Sequence, residues 1–122
     1  MNLTALLFVA AGGAIGSVAR AMIGSVMPPG RMPWGTILIN VSGSLLIGWL
    51  FSRIGPLTET NLRSHAFWLV GICGGFTTFS AFSLQTIEQL QKGDWLAAAG
   101  NVLLSVGLCL FATWLGIRLG RA

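Results

Sequence analysis

Hydrophobic and polar positions fall into long blocks along this chain. Four apolar runs, at about 3–26, 34–51, 66–90 and 95–119, each reach the length at which a helix crosses a bilayer, which takes about 20 predominantly apolar residues. Between them lie segments of turn formers and charges. These are Met27-Pro28-Pro29-Gly30-Arg31-Met32-Pro33, the stretch from Ser52 to His65 with Gly55-Pro56 at its centre, and Gln91-Lys92-Gly93-Asp94. Trp34, Trp68 and Trp95 stand at the starts of runs, with Trp49 and Trp114 near the ends of others. An amphipathic ring settles at the membrane interface, so these positions support the boundaries. The pattern predicts an all-α integral membrane protein, four transmembrane helices in a single domain over 1–122, with no repeat or low-complexity segment.

Composition reinforces this picture. The chain is 54% hydrophobic and 8% charged, too little polar surface to cover a soluble domain of 122 residues. Its start, Met1-Asn2-Leu3-Thr4, lacks the basic side chains that lead a secretory signal, so the first run is expected to stay as a mature helix. Cys73 and Cys109 lie inside apolar runs and read as small buried hydrophobes, not as a disulfide framework. The net charge of +4 comes from basic residues scattered singly, which suits lipid headgroups and gives no patch for nucleic acid.

The charge pattern leaves orientation almost undecided. With the N-terminus on side one, Arg53, Arg63, Arg118 and Arg121 fall there, against Arg31, Lys92 and the deeper Arg20 on side two. Membrane orientation follows an excess of Lys and Arg on one side. Near balance allows insertion both ways, hence an antiparallel, dual-topology homodimer; a single topology with weak determinants is the alternative. Small residues recur at four-residue spacing within the helices: Gly12 and Gly16, Ser44 and Gly48, Gly71 and Gly75, then Ala112, Gly116 and Gly120. Such faces let backbones approach closely in lipid.

Polar residues at depth must find a partner, water or a ligand, and so carry the information about chemistry. Asn40, with Ser44 one turn on, is either interhelical glue or an amide donor on a polar ion path. Asn101, Ser105, Cys109 and Thr113 form a stripe along the fourth helix that suits a water-lined path or interhelical bonding. The densest stretch is Gly71 to Ser83. Gly74-Gly75 removes side-chain support at mid-membrane, and nearby Thr and Ser hydroxyls can recapture freed backbone groups, so the third helix is expected to be broken there. Exposed carbonyls beside such a break are a recurrent way to hold a cation such as sodium. Beyond it, Phe76, Phe79 and Phe82 fall three apart, with Thr77, Ser80 and Ser83 beside them at the same spacing. Such a face is either lipid contact or core packing, or a path on which positive ring edges meet a desolvated anion and hand it to the adjacent hydroxyls.

What is missing narrows the function. The only carboxylates, Glu59, Glu88 and Asp94, lie in loops or near a helix end. A proton-coupled antiporter needs a titratable group at mid-membrane, so a passive channel is favoured. Metal-ligand clusters and nucleophile–base pairs are lacking as well, which speaks against an enzyme. The rivals are a small proton-coupled multidrug exporter and a membrane assembly subunit without transport activity.

Three motifs carry a family resemblance. Gly12-Gly13-Ala14-Ile15-Gly16-Ser17-Val18-Ala19-Arg20, Gly35-Thr36-Ile37-Leu38-Ile39-Asn40 and Gly74-Gly75-Phe76-Thr77-Thr78-Phe79-Ser80-Ala81-Phe82-Ser83 occur in this order in a chain of this size. Together they resemble the bacterial fluoride channels of the Fluc family, also called CrcB proteins, over essentially the whole length. The resemblance implies passive export of fluoride through two pores of an antiparallel homodimer in the bacterial inner membrane. It also implies site residues. Phe79, Phe82 and Asn40 match pore positions, and Ser80, Ser83 and Thr113 match a line of pore hydroxyls. Arg20 matches a vestibule arginine, and the carbonyls of Gly74 and Thr77 match ligands of a structural sodium ion at the dimer interface. Two departures stand out: Gln85 where many members have Glu, and Asn101 where some have an aromatic.

Overall fold

The computed structural model describes residues 1–122, all helical apart from the chain ends, the connections and one short interruption. Four spans are long and apolar enough to cross a membrane: a first helix Leu3–Val26, a second Trp34–Ile54, a third run Leu62–Gln91 and a fourth helix Trp95–Arg121. Only 21 of 122 residues are buried, and Leu3, Leu96 and Leu103 are each about three-quarters exposed. A surface this apolar is stable against lipid tails, not water.

Side chains cap the helices where the sequence allows. Asn2 and Asp94 accept the backbone N–H groups of Ala5 (2.9 Å) and Ala97 (3.2 Å), opening the first and fourth helices. Gly55, at φ 84°, closes the second helix in a conformation that a Cβ would strain. The helices also run past their apolar limits. The second ends at Ile54 where the pattern predicts 51, the third run starts at Leu62 in place of 66, and the fourth reaches Arg121 beyond 119. Backbone hydrogen bonding continues through polar residues once they reach the headgroup level, and the hydrophobic pattern does not register that. Asn61 ties the connection between the second and third spans, donating to the carbonyls of Ile54 (3.1 Å) and Pro56 (3.0 Å).

The third run departs from a regular α-helix in two places. Its stretch His65–Cys73 is wound wide, so that the Gly74 N–H reaches the Leu69 carbonyl five residues back. The expected interruption at Gly74-Gly75 is absent, for Gly74 is helical (φ −65°, ψ −38°) and the run continues to Gln91 as one span. The extended residues come later, Thr77 at φ −84°, ψ 157° and Thr78 at φ −149°, ψ 111°. Glycine permits a break without requiring one; the residues that leave the helix are those whose backbone groups have side-chain partners waiting.

Glycine faces set the packing. A Cβ on Gly12 or Gly16 would run into the carbonyls of Phe67 and Ile72, so the first helix lies backbone to backbone on the wide-wound stretch. The second and fourth helices meet in the same way, Gly48 against Thr113 and Gly116 against Leu45. Leu50, Leu69 and Cys73 form a small core between the second helix and the third run.

Candidate functional site

Asn40 organises the extended segment. Its Oδ1 accepts from the Thr78 N–H at 2.7 Å and its Nδ2 donates to the Thr78 carbonyl at 3.0 Å. One side chain thus replaces both helical bonds that Thr78 has given up. Thr78 in turn caps the helix that follows, its Oγ1 accepting from the Ala81 N–H at 3.2 Å. Thr77 folds back instead, donating its hydroxyl to the Cys73 carbonyl at 2.9 Å. From the first helix, Ser17 donates to the Gly75 carbonyl (3.4 Å) and Arg20 to the Thr77 carbonyl (3.5 Å).

Beside this segment lies a cavity of about 430 Å³, floored by the second helix and walled by the third run and the fourth helix. Asn40, Gly74, Thr77, Phe79 and Phe82 all line it, together with Ser105 and Cys109. The Phe79 and Phe82 rings stand 5.3 Å apart, tilted by 49°. Phe82 is buried, but Phe79 is 76% exposed and Gly74 also lies at the surface, so the cavity opens on an uncovered face of the chain.

Other expected site residues are not in this lining. Ser80 is exposed, 3.3 Å from the Thr78 hydroxyl, and Ser83 donates to the Phe79 carbonyl at 3.0 Å. Thr113 lies along the seam with Gly48, and Arg20 reaches the segment from behind through the Thr77 carbonyl. Phe76 leaves the phenylalanine face, because two extended residues shift the helical phase between it and Phe79, and its ring packs on Gly43. Gln85 faces a different cavity of about 380 Å³, at the loops of Arg31 and Asp94.

The stripe on the fourth helix divides. Asn101 and Ser105 are buried and bonded to each other within the helix, Asn101 alone bonds across to Thr86 as interhelical glue, and Ser105 and Cys109 reach the cavity. Thr86 is absent from the sequence reading, and Thr78 stands there only within a motif, without a role of its own. Thr78 had a signal, a Thr three residues before Ala81 at the start of an apolar helix.

At the loops, Arg31 and Asp94 form a two-point ion pair, Nε to Oδ2 at 2.6 Å and Nη2 to Oδ1 at 2.8 Å. The Arg31 bond, then the Ala97 N–H, hold the Asp94 carboxyl down at about 2. The same pairing raises Arg31 above its ordinary value.

Comparison with known proteins gives the arrangement a family. Residues 7–117 match the family model described as CrcB-like protein, Camphor Resistance (CrcB). Proteins named fluoride-specific ion channel FluC are similar along most of the chain. The one from Rhodospirillum rubrum is 47% identical over 90% of this chain and 89% of its own length. That from Paramagnetospirillum magneticum is 50% identical over 88% of each, and that from Nitrobacter winogradskyi 43% over 99% and 98%. The chain belongs to the CrcB-like family.

Proposed function

We propose that this protein is a fluoride channel of the bacterial inner membrane, a multi-pass subunit through which the anion leaves the cytoplasm passively. The observation that carries this reading is the cavity in which Phe79 and Phe82 stand beside the segment clamped by Asn40. The similar proteins, named as fluoride-specific channels, supply the ion. The ring edges of Phe79 and Phe82 are the positive parts of their quadrupoles and meet a small anion without a fixed charge. Asn40 has a second N–H beyond the one it gives Thr78, and that donor takes the place of a hydration water. Ser80, Ser83 and Thr113 would continue the line of hydroxyls, with Arg20 toward a vestibule.

The open face asks for cover. A second, antiparallel copy, consistent with the near-even spread of Lys and Arg, would bury Phe79 and Gly74 and complete two equivalent pores. The third run then acts as a discontinuous helix, its interruption at Thr77 and Thr78 serving both ions. In such a dimer the carbonyls of Gly74 and Thr77 from both copies would hold a sodium ion. The donor set fits: hard cations take oxygen ligands, the Thr78 N–H that a helix would give Gly74 goes to Asn40, and Thr77 receives only the long Arg20 contact. Bound sodium would supply a fixed positive charge at the interface.

Export is downhill. Hydrogen fluoride enters as a neutral acid and dissociates inside, and a negative-inside potential drives the anion out with about 2.3 kcal/mol per 100 mV. The proton-coupled exporter is disfavoured because no carboxylate sits at mid-membrane, and Asp94 is paired with Arg31 at the loops.

Purified protein in liposomes is expected to release fluoride rapidly under a potassium gradient with valinomycin, with no pH-gradient dependence and little chloride flux. Phe79→Ile and Phe82→Ile are expected to remove most of this flux while the protein stays folded. Folded wild-type protein without fluoride flux would sink the reading, and normal conduction in both variants would sink the ring-edge mechanism.

A further inference from the structure

Asn101 is fully buried inside the fourth helix, and the pore reading gives it no role. Its amide is held at both ends. Nδ2 donates to Thr86 Oγ1 at 3.0 Å, and Oδ1 accepts from Ser105 Oγ at 3.0 Å. Thr86 passes its own proton to the Phe82 carbonyl at 2.8 Å. A hydroxyl has one proton to give, so the chain of bonds runs one way, from Ser105 through Asn101 and Thr86 to Phe82. The opposite amide orientation would ask Thr86 to donate twice.

The direction matters because Ser105 lines the cavity with Asn40, Phe79 and Phe82. Its O–H is committed to Asn101, and the lone pairs of Ser105 are what remain for the cavity. An anion there obtains the Ser105 proton only by drawing it away from Asn101. The Asn101 oxygen, at zero exposure, is then left unpaired and out of reach of water, which is costly.

We propose that Asn101 is a positioning residue for halide selectivity, one that makes Ser105 a donor only to a strong hydrogen-bond acceptor. Fluoride, the smallest and most basic halide, recovers the cost of the exchange through the bond it gains. Chloride spreads its charge over a larger radius and does not. Asn101 touches no ion and acts through Ser105 alone. This inference rests on the fluoride reading above.

Asn101→Leu keeps the branched outline of the side chain, at a somewhat larger volume, and removes the competing acceptor. The remaining acceptor for Ser105, the main-chain carbonyl of residue 101, keeps its helical N–H whether or not Ser105 joins it. Fluoride and chloride efflux are measured on the same liposomes. Asn101→Leu is expected to lower the fluoride-to-chloride flux ratio about tenfold, the equivalent of about 1.4 kcal/mol. Thr86→Ser is the control, since it trims a methyl from the same seam but keeps the hydroxyl that orients the Asn101 amide and so leaves Ser105 tied to Asn101, and the wild-type ratio is expected. An unchanged ratio in Asn101→Leu, or an equal fall in Thr86→Ser, overturns the proposal. Should Asn101→Leu not fold, Ser105→Ala decides: with the donor gone the ratio falls, and an unchanged ratio overturns the proposal. In each case fluoride flux through the wild type keeps the underlying reading separate, because its absence defeats that reading first.

Discussion

Asn40→Leu is the sharpest perturbation of the site. Leu has nearly the shape of Asn but neither donor nor acceptor, so the Thr78 N–H and carbonyl, bonded at 2.7 and 3.0 Å in the native protein, lose their partner together. Each backbone group left unpaired away from water costs about 1–3 kcal/mol, which puts the loss at roughly 2–6 kcal/mol. The chain has one escape, to wind Thr77 and Thr78 into the helix and return the Thr78 N–H to Gly74. The rise per residue then falls from about 3.3 Å to about 1.5 Å, and two residues pull the helix bearing Phe79 and Phe82 back by about 4 Å. Both routes remove the cavity's geometry. Thermal unfolding in detergent and fluoride efflux from liposomes, measured on one preparation, are expected to show a lower Tm, lost flux, or both. An Asn40→Leu protein with wild-type Tm and wild-type flux would refute the clamp.

Two further outcomes follow from packing and charge. Gly116→Ala places a Cβ against the Leu45 carbonyl and is expected to destabilise by about 1–3 kcal/mol, whereas Gly107→Ala, with nothing within 4 Å, is expected to be neutral or slightly stabilising; thermal melts of the two variants check the contrast. The Asp94 carboxyl has its pKa lowered from 3.8 to about 2, so its pairing with Arg31 stabilises the fold above about pH 4 and is lost as pH falls through about 2. The Tm difference between wild type and Asp94→Asn is therefore expected to be constant from pH 4 to 7 and to shrink below pH 4, and a difference that grows on acidification would contradict the assignment.

Phe79, Phe82 and Asn40 belong to motifs whose order and spacing are specific, and in the structure the three line one cavity. The sequence pattern placed an interruption at Gly74-Gly75, and the third run has none there. Two adjacent glycines mark where a helix is weakest, yet Gly74 stays helical and Thr77 and Thr78 open. The deciding partner, Asn40, is 38 residues away in sequence, where no local pattern records it. Phe76 shows the consequence: its three-residue spacing places it with Phe79 only if the helix between them is unbroken.

By itself the sequence determined the solvent and the architecture. Four apolar runs of spanning length leave a chain no alternative to lipid, since unpaired backbone in hydrocarbon forces each run into a helix that satisfies itself. Small residues at four-residue spacing likewise announced close-packed faces. Only the tertiary structure decided which faces meet, the first helix on the wide-wound stretch and the second on the fourth. It also decided which hydroxyls and amides face the cavity and which are already bonded to a neighbour. Those outcomes depend on hydrogen bonds between residues far apart in the chain, such as Asn40 with Thr78 and Asn101 with Thr86, and on the direction in which each proton is given.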